Sequence, residues 1–202
     1  MSAYLASVSF ADAMVGKILD ALDASTYAGN TIIVLWNDHG WHLGEKLHWA
    51  KNSLWEEATR VPLILVAPGI TEPGGRCARP VSLIDIYPTL IDLCGLNSRE
   101  GLEGVSLLSL LGDPNATRVE PALTTSRGNN HSVRSERWRY TRYNDGAEEL
   151  YDHQNDPLEW TNLANMPEYA TKKAELAHWL PKSTAPAAPK RRQPRKSQRE
   201  TK

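Results

Sequence analysis

The sequence predicts an α/β fold over residues 1–113, followed by a small antiparallel-sheet-plus-helix subdomain over residues 114–181. Three observations lead to this. Apolar residues recur at helical spacing through Ser2–Ala24. Two short runs rich in β-branched residues, Thr31–Trp36 and Val61–Ala67, enclose a dense polar loop. Beyond Asp113-Pro114-Asn115 the pattern changes to short strands.

The chain has 202 residues and 41% hydrophobic content, enough for a packed core. It contains no apolar run of transmembrane length. Its N-terminus lacks a basic leader and a continuous apolar core, so it does not read as a signal peptide. Nothing here indicates a cellular location. From Lys182 to Lys202 there are eight Lys/Arg and one Glu, so this tail carries +7 and the remainder −8 of the net −1. Residues 182–202 have nothing apolar to bury and are expected to be disordered. Without aromatic residues for base stacking, the tail indicates no specific nucleic-acid partner. Cys77 and Cys94 lack metal-ligand spacing and read as thiols in apolar surroundings. A disulfide between them stays open at this level.

The elements follow in order. In the first helix Tyr4, Val8, Ala11, Val15, Ile18, Leu19 and Leu22 form one stripe, expected to pack on the sheet. Gly29-Asn30 breaks into the first strand. Ser53–Thr59 reads as a short helix with Glu56 and Glu57 on a solvated face and Arg60 as a partner for one of them. Pro68-Gly69 and Pro73-Gly74-Gly75 are turns. Val81–Leu93 reads as a helix that begins or kinks near Pro88 and stops at Gly95, with Asp85 structural. Strands are expected at Ala122–Ser126, Ser132–Tyr143 and Glu148–Asp152, with a hairpin turn at Asn144-Asp145-Gly146 and a last helix over Pro167–Leu180. His131, in the polar loop 127–131, stands as a candidate rim residue, with a plain hairpin loop as the alternative.

The chemistry concentrates between the two apolar runs. Asp38 and His39 follow the first strand directly, where open α/β sheets bind ligands. A carboxylate oxygen beside an imidazole nitrogen can hold one side of a divalent cation. Gly40 frees the backbone to turn after the pair. On the dipeptide alone a second reading is open, in which Asp38 caps the turn and His39 is a surface histidine.

The wider string is more specific. Asp38-His39-Gly40, Leu43-Gly44-Glu45, Trp49-Ala50-Lys51 and Arg60-Val61-Pro62-Leu63-Ile64 together resemble the second signature region of the sulfatase family, in its iduronate/choline-sulfatase-like branch. Four further stretches extend the match. They are Tyr4 with Ala6-Ser7-Val8, Asp12 and Val15-Gly16; the run 81–96; the connector over 101–111; and Glu149-Leu150-Tyr151-Asp152 with Asp156-Pro157, Glu159 and Asn162-Leu163. The resemblance runs from residue 2 to about residue 178 and corresponds to the C-terminal portion of a typical sulfatase. It implies the C-terminal part of an alkaline-phosphatase-like α/β sandwich and a sulfate ester substrate. It also implies Asp38 and His39 as metal ligands, usually for calcium, and Lys51 as a catalytic, sulfate-contacting ammonium. Where relatives carry His-Gly, this chain has Lys46-Leu47-His48, so His42 and His48 both stand as candidate substrate-binding residues. In the closing signature the aspartates are expected to cap turns, and Trp160 and Leu163 to pin the segment.

Sulfatases attack with a formylglycine made within Cys/Ser-x-Pro/Ala-x-Arg. No such motif occurs here, and the early Asp-Asp metal pair of the family is absent. The expectation is half of a composite site, inactive alone, with a missing N-terminal half as its partner and an open apolar face on the partial layer. Two alternatives are carried: a phosphonate monoester or phosphodiester hydrolase relative, and a non-catalytic interaction protein that works through its basic tail.

Overall fold

The computed structural model describes residues 2–126 and 128–183. The basic tail beyond Ser183, with the expectation attached to it, lies outside the described residues. The first helix, α1, spans Ser2–Asp23 as its periodicity predicts, yet none of its residues is buried. Met14, Val15, Leu19 and Leu22 are half-covered, while Tyr4, Leu5, Val8, Phe10 and Ile18 are exposed. The packing expected for this stripe is therefore only partial. The cover is confined to the second half of the helix, where all four of these half-covered residues lie.

Two short strands follow, β1, Ile33–Trp36, and β4, Leu63–Val66. They pair antiparallel with Trp36 opposite Leu63. Asp38, just past β1, and Arg60, just before β4, therefore stand at the same end of the ribbon. Ile64 and Val66 are 53% and 43% exposed on a face they share with Leu35 and Ile33, so the layer does carry an open apolar face. A two-residue hairpin lies between them, formed by β2 (His42–Leu43) and β3 (Trp49–Ala50). The single turn α2, Glu56–Thr59, leads into β4.

Gly40 does not have the role assigned to it. A Cβ there would sit 2.0 Å from the Glu57 carbonyl oxygen. The glycine permits close approach, and its N–H donates to Ala58 O at 2.8 Å. Gly40→Ala is expected to push α2 off the end of β1 and to cost about 1–3 kcal/mol, the usual range for overpacking. A shift of the urea midpoint at unchanged slope measures it.

Helix α3, Ile86–Leu93, begins two residues before Pro88, which thus falls in the first turn where it removes no helical bond. Asp85 closes a capping box with Ser82, accepts from Val105 N at 2.8 Å and pairs with Arg118 at 2.7 Å. Its role is structural, as expected. Gly95 ends the helix at φ +61°. After α4, Leu108–Gly112, the chain forms a four-stranded antiparallel meander. Its strands are β5 (Ala122–Ser126), β6 (Asn130–Arg134), β7 (Trp138–Arg142) and β8 (Glu148–Asp152). The stretch read as one strand, Ser132–Tyr143, is two. It folds back at Ser135, whose N–H donates to Trp138 O at 2.9 Å. Helix α5, Ala170–Ala177, closes the core, in which Val133, Tyr140, Leu150, Ala164, Leu176 and Leu180 are buried together.

Three further expectations change. Trp160 is 61% exposed, so Leu163 alone of the two packs on the core. Cys77 and Cys94 are exposed, free thiols rather than apolar ones. His131 is buried and bonds Thr125 Oγ1 at 2.9 Å, which removes it from any rim.

Candidate functional site

The loop after β1 places three of the predicted residues together. The β2–β3 register pairs His42 with Ala50. Continued outward, it sets Lys51 opposite Trp41 and diagonal to His39. The Lys51 ammonium lies 2.7 Å from His39 Nε2, and Asp38 Oδ1 lies 3.6 Å from the same nitrogen. The other ring nitrogen, Nδ1, lies 2.8 Å from Gly40 O. A carbonyl oxygen only accepts, so Nδ1 carries the hydrogen and Nε2 presents its lone pair to Lys51. The Asp38 side chain is 69% exposed and that of His39 30%. The turn at Asp38 is capped by Asn37 Oδ1, which accepts from Asp38 N at 2.9 Å. Among the described residues the Asp38 carboxylate accepts no backbone N–H, which removes the capping reading of that side chain.

The structure places His42 and His48 elsewhere. His42 is fully buried, and its Nε2 lies 2.7 Å from Ser53 Oγ. Its ring meets His48 edge-on at 4.9 Å, and both meet the Trp55 ring near 6 Å, at 5.9 and 5.8 Å. Burial, then the neighbouring His48, lower the His42 pKa from its ordinary value. His42 Nδ1 and His48 Nε2 are buried without a hydrogen-bond partner. The hairpin turn between them is sharply bent, with Lys46 and Leu47 at φ +51° and +56°. Non-glycine residues adopt that region rarely.

Behind the loop lies a buried ionic network that sequence reading missed. Glu56, expected to be solvated, has a side chain only 15% exposed. Burial alone would raise its carboxyl pKa, but Arg139 and Arg134 hold it below the ordinary range. Arg139 is buried on β7. It donates to Glu56, to Glu159, to Leu54 O at 3.0 Å and to Ser132 Oγ at 3.0 Å. Glu159 is also held below its ordinary range against burial, by His153 and Arg139. Arg60, expected to pair with Glu56 or Glu57, makes no ion pair with either among the described residues. The only signal for Glu159 was its place in the closing signature. Nothing local marks Arg139, since a charged residue in an alternating strand reads as outward-facing.

Glu56, His153 and Glu159 bring three possible ligand atoms within 4.8 Å of one another. The guanidinium groups of Arg139 and Arg134 already neutralise those carboxylates, so the cluster is a salt-bridge network and does not present a vacant cation site. An open cleft of about 630 Å³ adjoins it, lined by Glu57, Arg60, Arg134, Arg137 and His153 among others. Asp38, His39 and Lys51 do not line that cleft. No described helix is long and apolar enough to cross a membrane.

A family model described as Sulfatase matches residues 1–96. A sulfatase of Formosa agariphila is 45% identical over 185 residues, which cover 92% of this chain and 36% of that protein. The choline-sulfatase of Rhizobium meliloti is 35% identical over 88% of this chain and 37% of its own length. The solved phosphonate monoester hydrolase of Agrobacterium radiobacter superposes with a TM-score of 0.72 at 26% identity, over 83% of this chain and 37% of that one. The chain spans little more than a third of the length of the relatives it matches.

Proposed function

The chain belongs to the sulfatase family, and from that premise we propose that Asp38, His39 and Lys51 are one half of a sulfuric-ester hydrolysis site. The other half, with the nucleophile, would come from residues outside this stretch. The observation that carries the reading is the convergence of Lys51 and Asp38 on His39 Nε2, at 2.7 and 3.6 Å.

Members of the family generally use a divalent metal. The residues here suit one side of such an ion, which we take to be calcium. Asp38 offers an exposed carboxylate oxygen. His39 offers an Nε2 lone pair aimed by the bond from its Nδ1 to Gly40 O, which the Lys51 ammonium would have to yield to the ion. Calcium takes six to eight ligands, mostly oxygen, so two donors make a partial shell. Bound there, the cation would draw charge from the sulfate oxygens. Lys51 contributes a mobile positive charge at the same place. Its ammonium would neutralise charge developing on the ester and leaving oxygens. His42 and His48, in their aromatic cluster, would support the hairpin that carries Lys51. The chain alone is expected to be inactive, because its 202 residues include no formylglycine motif.

A second reading has its own support. The likeness to a phosphonate monoester hydrolase extends the range of candidate substrates to phosphonate esters. One experiment addresses both. Residues 2–183 replace the matching stretch of the Formosa agariphila sulfatase, and the folded chimera is assayed on an aryl sulfate and an aryl phosphonate monoester. Turnover of the sulfate ester is expected. Asp38→Ala is expected to lower kcat/KM about 100-fold or more, since metal charge stabilisation supplies several kcal/mol. A folded chimera that turns over only the phosphonate ester would select the second reading. Sulfate turnover indifferent to Asp38→Ala would remove the half-site assignment, and turnover by the 202-residue chain alone would remove the claim of inactivity.

A further inference from the structure

We propose that Glu159 is a positioning residue for the Asp38–His39–Lys51 half-site, holding it from across the fold through Glu56 and Gly40. The proposal rests on the reading of those three residues as a half-site.

Glu159 is 1% exposed, and its backbone sits at φ +60°, in the left-handed region that a non-glycine residue enters only when its surroundings impose it. Its bonds supply that imposition. Oε1 accepts from Arg139 Nε and lies 2.9 Å from His153 Nε2. Oε2 accepts from the backbone N–H of Glu56 at 2.9 Å. Its own carbonyl accepts from the Lys46 ammonium. Both reaches end on the loop between β1 and β4.

The first reach continues to the site. Glu56 is the first residue of α2, where N–H groups lack helical partners, and Glu159 satisfies one of them. Two residues on, Ala58 O accepts from Gly40 N at 2.8 Å. Gly40 O accepts from His39 Nδ1 at 2.8 Å, and this bond directs Nε2 toward Lys51. The second reach holds the hairpin turn. Lys46 lies 4.5 Å from the centres of the Trp55 and Tyr151 rings and donates to Tyr151 Oη at 3.1 Å. That turn precedes β3, which delivers Lys51. One buried carboxylate residue thus sets both the imidazole and the strand that carries the ammonium. A glutamine at this position would weaken or lose the side-chain bonds, because Oε1 and Oε2 both accept, while the Lys46 bond to the backbone carbonyl would keep its acceptor.

The test reads the His39 tautomer in the 202-residue chain by imidazole 15N correlation at about pH 8, above the ordinary histidine range. A His39→Gln variant assigns the signal. The parent is expected to show the Nδ1–H form. In Glu159→Gln that form should give way to a mixture of tautomers. Glu159→Asp, which keeps the charge but falls one methylene short, should lie between the two and serves if the glutamine variant does not fold. Val133→Ala is the control, because Val133 lies in the core of the meander. At a comparable loss of stability it should leave the His39 signal as in the parent. The proposal is overturned if folded Glu159→Gln and Glu159→Asp keep the parent tautomer, or if Val133→Ala shifts it equally. Adding calcium to the parent is a separate arm. Calcium shifts at His39 support the half-site reading, and their absence counts against that reading while leaving the positioning result standing.

Discussion

Arg139→Met is expected to destabilise the protein by about 3–5 kcal/mol, the range for removing one partner of a buried ion pair. That is a large part of the 5–15 kcal/mol that folded domains typically possess. The cost does not come from the lost attraction alone. Glu56 and Glu159 would remain in place with side chains 15% and 1% exposed, and each would lose a guanidinium donor. Arg134 still reaches Glu56, and His153 still reaches Glu159, so the network is wounded and not erased. Leu54 O and Ser132 Oγ would lose their bonds from the same side chain. Arg139→Lys keeps the charge but cannot span four acceptors in a fork, and it should recover less than half of the loss. Guanidinium midpoints of the two variants decide the matter. A loss below about 1 kcal/mol in the methionine variant would place the pair among ordinary surface salt bridges and defeat the argument. The double variant Arg139→Met, Glu159→Gln should be less unstable than the sum of its parts, because it removes the orphaned charge with its cause.

Lys51→Met is expected to lower kcat of the chimeric enzyme on a sulfate ester by about 10²–10³-fold, the scale of removing one electrostatic donor aimed at developing charge. The change should fall on kcat more than on KM if the ammonium acts chiefly in the transition state. Lys51→Arg should keep part of the effect, limited by a planar head that cannot take the position of a compact ammonium. Methionine has a similar length and no charge, so folding should be nearly untouched. Equal kcat values for Lys51→Met and the parent would remove Lys51 from the chemistry and leave it a partner of His39 only.

How far these features can be read from residues depends on how local their causes are. Helix α1, strands β1 and β4 and the turn at Asn144–Gly146 follow from patterns a few residues long, and they stand where the patterns put them. The break between β6 and β7 has no glycine or proline to announce it. It comes from Ser135 bonding back to Trp138, and so Ser132–Tyr143 reads as a single strand. The juxtaposition of Asp38, His39 and Lys51 is legible only through the family string, because no spacing rule joins residues 39 and 51. The fate of Glu56 is legible in no local way. Its polarity suggests water, and its partner Arg139 lies 83 residues further along the chain. His42 is similar, since a histidine in a polar loop suggests exposure, and only the neighbouring His48 and Trp55 rings show it buried.

The bond between Glu159 and Glu56 joins residues 103 positions apart. At typical translation rates of about 5–20 residues per second, about 5–20 seconds separate the appearance of one end from that of the other. Until Glu159 emerges the nascent loop lacks that anchor, although β1 and β4, which flank it, have been synthesised well before. With Glu159 positioning the half-site as proposed, its assembly would be a late event in biogenesis, timed by the emergence of the closing signature. A chain that stops between β4 and Glu159 therefore carries the exposed Ile64 and Val66 without the carboxylate that anchors the loop beside them.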